Sequence, residues 1–291
     1  MCTAVSYKTQ NTYFGRNLDL EYSYSEYVCV TPRKFPLSFR HRDTLTHHHA
    51  FIGMAHIENG YPLYYDAVNE KGLAIAGLRF TDSAPYAKDA AGIASFELIP
   101  FLLSSCSSLD EVKHALHSIK ITDDHFSQSL KNTPLHWMAA DNTGSVVLEW
   151  SENGLNIFDN PTGVLTNNPS FDRQIQTSFP LLPGGLSSEE RFVRAAHVLK
   201  NSVSGTSEAE SISQFFHILG SVTQVRGCNV TDEGLEITVY SSCMNLSRGI
   251  YYYKTYENSR ITAVCLQGAE LDSRDLITFP LRTAQDIRRE N

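Results

Sequence analysis

The chain has 291 residues, 42% of them hydrophobic and 11% aromatic, which is enough apolar material for a substantial core within one domain spanning 1–291. A net charge of −8 and a sequence pI near 5.7 exclude the clustered cations from which nucleic-acid binding draws its affinity. No run of about 18 apolar residues is present to span a bilayer, and residues 1–20 lack the basic start and unbroken apolar stretch of a secretory signal, so the sequence predicts a cytoplasmic protein without a membrane partner.

The first eighty residues read as strands. CTAVSYK, TYFGRNLD, YVCVTPR, AFIGMAHI, LYYDAV and GLAIAGLRF are rich in β-branched and aromatic residues and are punctuated by Gly, Pro and Asn, with a polar surface loop over 34–49. FELIPFLLSSC from Phe96 predicts a helix, and a capping box from Ser108 to Glu111 opens a second one through Val112, Ala115, Leu116 and Ile119. From Leu135 the period returns to two: LHWMAAD, a turn at Asn142-Thr143-Gly144, SVVLEW, a turn at Asn153-Gly154 and LNIFDN form a meander. Capping boxes at Ser187–Glu190 and Ser207–Glu210 start two further helices, and Ile212, Phe215, Phe216 and Leu219 make an apolar stripe on the second. LEITVYSSC, GIYYYKTY and ITAVCLQ close the pattern as strands, Leu235, Ile237 and Val239 alternating onto one face. Strands, helices, strands, helices and strands in that order predict an α+β protein. Two stacked, mainly antiparallel sheets with helices outside give a four-layer α/β/β/α sandwich, which buries every apolar face.

Six cysteines, at 2, 29, 106, 228, 243 and 265, form no CxxC pair and no zinc-type Cys/His spacing, so five are expected to be buried as small hydrophobes and no metal or cofactor is called for. His47, His48 and His49 are adjacent, and adjacent side chains converge poorly on one ion, so the run reads as a solvated loop.

Cys2 stands apart. A small residue after the initiator favours removal of Met1, and the α-amine of an N-terminal cysteine titrates near pH 8 beside a thiol that titrates near 8.5. One residue then carries both nucleophile and base. The turn after CTAVSYK returns Arg16 and Asp19 beside the first strand, where a guanidinium favours thiolate and a carboxylate orients the amine. The same residues also fit an ordinary N-terminus with a surface ion pair. A histidine-dependent thiol hydrolase built on Cys106 or Cys243 has no supporting motif around either residue.

The segments MCTAVSY, FGRNLDLEYSY, VNEKGLAIAGLRF, NTPLHWMAAD, GVLTNNPSFD, QVRGCN and YSSCMNLSRGIYYYKTYENSRI resemble the choloylglycine hydrolase family in order and separation. That family comprises conjugated bile acid hydrolases and penicillin V acylases on the N-terminal-nucleophile (Ntn) hydrolase fold. The resemblance implies hydrolysis of a linear amide with Cys2 as nucleophile, Arg16 and Asp19 as its partners, Asn167 as side-chain donor to the oxyanion, and Arg226 as the arginine that tunes the field of the site. At Arg79 it implies a backbone N–H in the oxyanion hole, although bile-acid-specific members carry asparagine there and penicillin acylases tyrosine. Leu18, Phe126 and Leu130 correspond to acyl-pocket positions, each also readable as core packing. MCTAVSY and VNEKGLAIAGL lie nearer the bile-salt branch, which makes a glycine- or taurine-conjugated bile salt the expected small-molecule partner. Penicillin V and acyl-homoserine lactones are the alternative substrates, and an inactive small-molecule-binding member is the alternative from another class. The connection over 173–187 is short for a family that uses a projecting hairpin here for assembly, so a dimer or monomer is expected in place of a tetramer.

Overall fold

Period-two alternation resolves, in the computed structural model, into two stacked sheets whose strands are all antiparallel; the structure describes residues 1–88, 91–117 and 119–291. The strands that matter most for the site are β1 (Cys2–Lys8), β2 (Thr12–Leu20), β3 (Tyr27–Thr31), β4 (Phe51–Glu58), β5 (Tyr61–Asn69) and β6 (Ala74–Arg79). The six-stranded sheet runs Val164–Leu165, β1, β2, Ile237–Asn245, Ile250–Thr255 and Thr262–Cys265. The eight-stranded sheet runs Gly154–Asp159, Ser145–Ser151, Leu135–Ala140, β6, β5, β4, β3 and Ile277–Pro280.

Helices α1 (Leu98–Ser105) and α2 (Leu109–Leu116) precede the meander, the short α3 (Phe171–Gln174) follows it, and α4 (Ser188–Asn201) and α5 (Glu208–Gly220) precede the final strands. The starts of α2, α4 and α5 are the predicted ones, whereas α1 begins two residues after Phe96 and α3 adds a short helix that the pattern does not show. Ser108 accepts from Glu111 N–H, and at both Ser187 and Ser207 the hydroxyl and the glutamate three residues on cap each other reciprocally.

Alternation decides which layer each strand serves. Ile52, Met54, Ala74, Ala76, Leu78, Met138 and Ala140 join Phe14, Leu18 and Tyr240 between the sheets, in a core continuous with Phe215, Phe216 and Leu219 of α5. Phe51, Ile75, Trp137, Ala139 and Leu148, from the opposite faces of the same strands, pack under Leu98, Leu102 and Val112 of α1 and α2. The order of layers is therefore helices α4 and α5, the six-stranded sheet, the eight-stranded sheet, and helices α1 and α2, as expected for an α/β/β/α sandwich.

Two expectations need correction. Cys29, Cys106 and Cys243 are buried, but Cys228 and Cys265 are exposed. The first lies in a surface turn, and the second ends an edge strand whose residues alternate into solvent. ITFP at 277–280 was not anticipated as a strand, yet it pairs with β3 and covers that sheet edge.

Candidate active site

Residue 2 sits on β1 directly opposite Leu18 of β2, and Ala4 sits opposite Arg16. Cross-strand partners share a face, so Cys2 and Arg16 both point between the sheets. Gly15 permits this arrangement: a Cβ there would lie 2.0 Å from the Ser242 carbonyl oxygen, so only glycine lets β2 approach strand Ile237–Asn245 so closely. Cys2 is 4% exposed and Arg16 completely buried. Arg16 Nη2 donates to Cys2 Sγ, while Nη1 donates to the carbonyls of Gly77 and of Tyr65 (3.3 Å).

Behind Arg16 lies Asp66 of β5, which accepts from Tyr240 Oη and Tyr251 Oη at 2.6 Å each. Burial raises the Asp66 pKa, opposed by Arg16 and these hydroxyls. For Arg16, burial works against the charge, but Cys2, Tyr240, Asp66 and Asp19 outweigh it and hold the guanidinium above its ordinary pKa. A permanent cation thus touches the thiol, the arrangement that favours thiolate.

Asn167 closes the other side. Its Oδ1 accepts from Cys2 N–H at 2.7 Å and from Arg191 Nη2 at 2.9 Å, and its Nδ2 donates to Arg79 O at 2.8 Å. The loop carrying it is tied down from three directions. Asn167 N–H donates to Ser188 Oγ on α4, Gln174 Nε2 donates to Asn167 O, and His136 Nε2 bonds Thr166 O at 2.7 Å while its Nδ1 meets Glu149. The His136 ring also stacks on Phe80 at 4.5 Å.

Arg79 ends β6 with its side chain in solvent. Phe80 N–H donates to Pro134 O, and antiparallel ladders alternate, so the N–H and C=O of Arg79 face away from strand Leu135–Ala140. That is the side on which Gly77 O meets Arg16 and Arg79 O meets Asn167. The backbone of Arg79 therefore borders Cys2 whatever its side chain does.

Asp19 lies on the other face of β2 and is fully buried. Its backbone pairs with Met1 in both directions, Met1 N donating to Asp19 O at 2.7 Å and Asp19 N to Met1 O at 2.9 Å. Oδ1 accepts from Thr238 Oγ1 at 2.6 Å; among the described residues Oδ2 has no hydrogen-bond partner. Burial pushes the carboxyl pKa up to about 6 in spite of the nearby Arg191 and chain terminus. The Met1 ammonium pairs with the buried Glu236.

Two site residues escaped the sequence reading. Glu236 is one, and Arg191 of α4 is the other. It is completely buried and donates to Cys2 O, Thr3 Oγ1, Asn167 Oδ1 and Leu186 O. The signal was available: Arg191 stands four residues before the buried Ala195, on the apolar face of its helix.

Arg226, by contrast, is not brought to Cys2. Its guanidinium pairs with Glu257 at 2.6 Å and lies over the Tyr256 ring, with half its side chain in solvent, where water screens its field. Of the expected pocket residues, Leu18 is buried beside Cys2. Phe126 is half-buried among Tyr61, Phe96 and the Arg40 guanidinium, and Leu130 exchanges bonds with Ser127 in the same loop. Among the described residues no group of three or more His, Cys, Asp or Glu is placed to hold a metal ion, and no helix is long and apolar enough to cross a membrane.

Comparison with known proteins gives this geometry a setting. The family model described as linear amide C–N hydrolases, choloylglycine hydrolase family, matches residues 2–181 and 176–279. The chain is 48% identical to a bile salt hydrolase/transferase of Lactiplantibacillus plantarum, over 97% of this chain and 98% of that one. A crystal structure of a variant of conjugated bile acid hydrolase from Clostridium perfringens superposes with a TM-score of 0.91 at 34% identity, covering both chains completely. Penicillin V acylase from Agrobacterium tumefaciens shares the fold, with a TM-score of 0.81 at 19% identity over 97% of this chain and 92% of that one. The chain therefore belongs to the choloylglycine hydrolase family, hydrolases of linear amide C–N bonds.

Proposed function

We propose that the protein, once Met1 is removed, deconjugates glycine- or taurine-linked bile salts using Cys2 as nucleophile and its own α-amine as base. The observation that carries this reading is the pairing at residue 2, with Arg16 on the thiol and Asn167 on the main-chain nitrogen; on the neighbouring strand a buried Asp19 oxygen lacks a partner among the described residues. An ammonium at residue 2 would supply the charge that Asp19 Oδ2 lacks. The names of the bile-salt-acting relatives support the choice of substrate.

In the reaction the Cys2 thiol proton passes to the Cys2 amine as sulfur attacks the amide carbonyl. The oxyanion is received by Asn167 Nδ2 and the Arg79 N–H, both already directed to that side. The ammonium protonates the leaving nitrogen, the C–N bond breaks, and glycine or taurine departs from a Cys2 thioester. Water, deprotonated by the same amine, attacks the thioester; sulfur leaves as thiol and the bile acid is released. Arg16 stabilises negative charge on sulfur at both ends of the cycle. Leu18 lies beside the nucleophile on the acyl side, and the exposed Arg79 guanidinium is available to an anionic leaving group.

The experiment is a hydrolysis panel of glycocholate, taurocholate, penicillin V and a long-chain acyl-homoserine lactone with wild type and Cys2→Ala. Bile-salt hydrolysis lost in Cys2→Ala supports the reading. Activity on penicillin V alone would overturn the substrate class, and activity surviving in Cys2→Ala the mechanism. The reading treats residues 1–291 as one catalytic domain. We also take the assembly to be smaller than a tetramer, because no hairpin is formed between Gln174 and Ser188, the stretch that would project for assembly. A tetramer mass in light scattering would refute that part.

A further inference from the structure

We propose that Arg191 is a positioning residue for this reaction, fixing the orientation of the Asn167 amide and lowering the basicity of the Cys2 amine; this rests on the reading above. The guanidinium plane is fully determined by its bonds. Nη1 donates to Cys2 O at 2.6 Å and Thr3 Oγ1 at 2.8 Å, Nη2 to Asn167 Oδ1 at 2.9 Å, and Nε to Leu186 O at 3.1 Å. A guanidinium offers donors only.

It follows that the amide group of Asn167 can sit only one way round. Flipping it would turn its NH2 onto both the guanidinium N–H and the Cys2 N–H, so Oδ1 stays between them and Nδ2 faces Arg79. One Nδ2 hydrogen is taken by Arg79 O. The other is left for the oxyanion, on the side where the Arg79 N–H also points. Arg191 thereby builds the hole without touching substrate.

The second effect is electrostatic. The four acceptors of Arg191 are uncharged oxygens, one of them the carbonyl of Cys2 itself, so its positive charge acts on residue 2 without a contacting carboxylate among the described residues. The other charged groups around residue 2 are Arg16 and Asp19 on β2 and Glu236 before strand Ile237–Asn245, with Asp66 of β5 behind Arg16. A cation beside an amine disfavours its protonated form, which keeps a larger fraction of the Cys2 amine as free base at neutral pH.

The test uses full-length, Met1-free protein and the variants Arg191→Gln, Arg191→Lys and Thr3→Val, with folding checked by thermal melt. Two readouts are taken across pH: glycocholate turnover, and alkylation of the residue-2 peptide by iodoacetamide, resolved by mass from the exposed Cys228 and Cys265. For Arg191→Gln, kcat should fall by about 100-fold with KM within about threefold, the scale of losing one oxyanion donor. Its acid limb in both readouts should rise by about one pH unit as the amine regains basicity. Arg191→Lys keeps the charge but not the fork, so its limb should stay in place while kcat falls by about tenfold. Thr3→Val removes one tether and should lower kcat by no more than about threefold with the limb unmoved.

A folded Arg191→Gln protein with an unmoved limb and kcat within threefold of wild type overturns the proposal. Should that variant not fold, a folded Arg191→Lys protein with wild-type kcat overturns it equally. If wild type cleaves none of the amides but the alkylation limb still moves in Arg191→Gln, the substrate reading fails and the role of Arg191 stands.

Discussion

Replacing Asn167 by aspartate separates the two jobs that its amide performs. Oδ1 is kept, and with it the bonds from Cys2 N–H (2.7 Å) and Arg191 Nη2 (2.9 Å); Nδ2, the donor at 2.8 Å to Arg79 O and toward the oxyanion, is lost. The catalytic cost should be that of an oxyanion donor, about 10²–10³ in kcat or roughly 3–4 kcal/mol. The stability cost should be about 1–2 kcal/mol, because Oδ2 then faces the Arg79 carbonyl oxygen where Nδ2 donated, an unfavourable contact partly offset by the charge-assisted bond to Arg191. Asn167→Ala provides the contrast. It removes all three bonds and leaves a buried guanidinium N–H without its acceptor, for about 3–5 kcal/mol of stability. Steady-state kinetics on glycocholate and urea unfolding, run on both variants, give the comparison. The reasoning is refuted if Asn167→Asp keeps kcat within tenfold of wild type, or if both variants lose the same stability.

Three other outcomes are expected. Because burial lifts the Asp19 carboxyl from its ordinary 3.8 to about 6, the group is neutral in both states at low pH, and the unfolded chain ionises first as pH rises. In protein that retains Met1, stability should therefore fall between about pH 4 and 7, by about 3 kcal/mol, and Asp19→Asn should flatten that decline in urea midpoints measured across the range; removal of Met1, which brings the ammonium to residue 2, should shrink it. Arg226→Gln should leave the urea midpoint unmoved in the same assay, since its pair with Glu257 lies in solvent. A loss of kcat/KM that deepens at low salt in that variant would restore to Arg226 a role through the field. Ser187→Ala should destabilise by about 1 kcal/mol in a thermal melt through loss of the α4 cap, and a neutral result would contradict the capping geometry.

Much of the fold was legible because patterning and local chemistry agreed. TYFGRNLD, GLAIAGLRF and LHWMAAD each have the composition of a strand, and all three Ser-x-x-Glu boxes mark true helix starts. The short ITFP strand was not, since its pairing depends on a β3 edge far away in sequence. In the site, the proximity of Arg16 to Cys2 follows from one hairpin and was readable from strand register. Arg191 carried only a weak signal, its i,i+4 spacing to Ala195, because an arginine in RFVRAAH has the look of a solvated helix face until α4 is docked on β1. The contribution of Arg79 depends on which way a backbone N–H points, and that is a property of ladder alternation that the residue's identity does not carry. For Arg226 the family motif implies a place in the site, and the structure sets its side chain at the surface on Glu257 and Tyr256.

Whether residue 2 is both nucleophile and base is decided by intact mass spectrometry of protein quenched during glycocholate turnover. The resting mass should be lower by one methionine, and a transient cholyl adduct should map to Cys2 and be released by hydroxylamine. Turnover by a protein that still carries Met1, or an adduct that maps to any other cysteine, would contradict that double role.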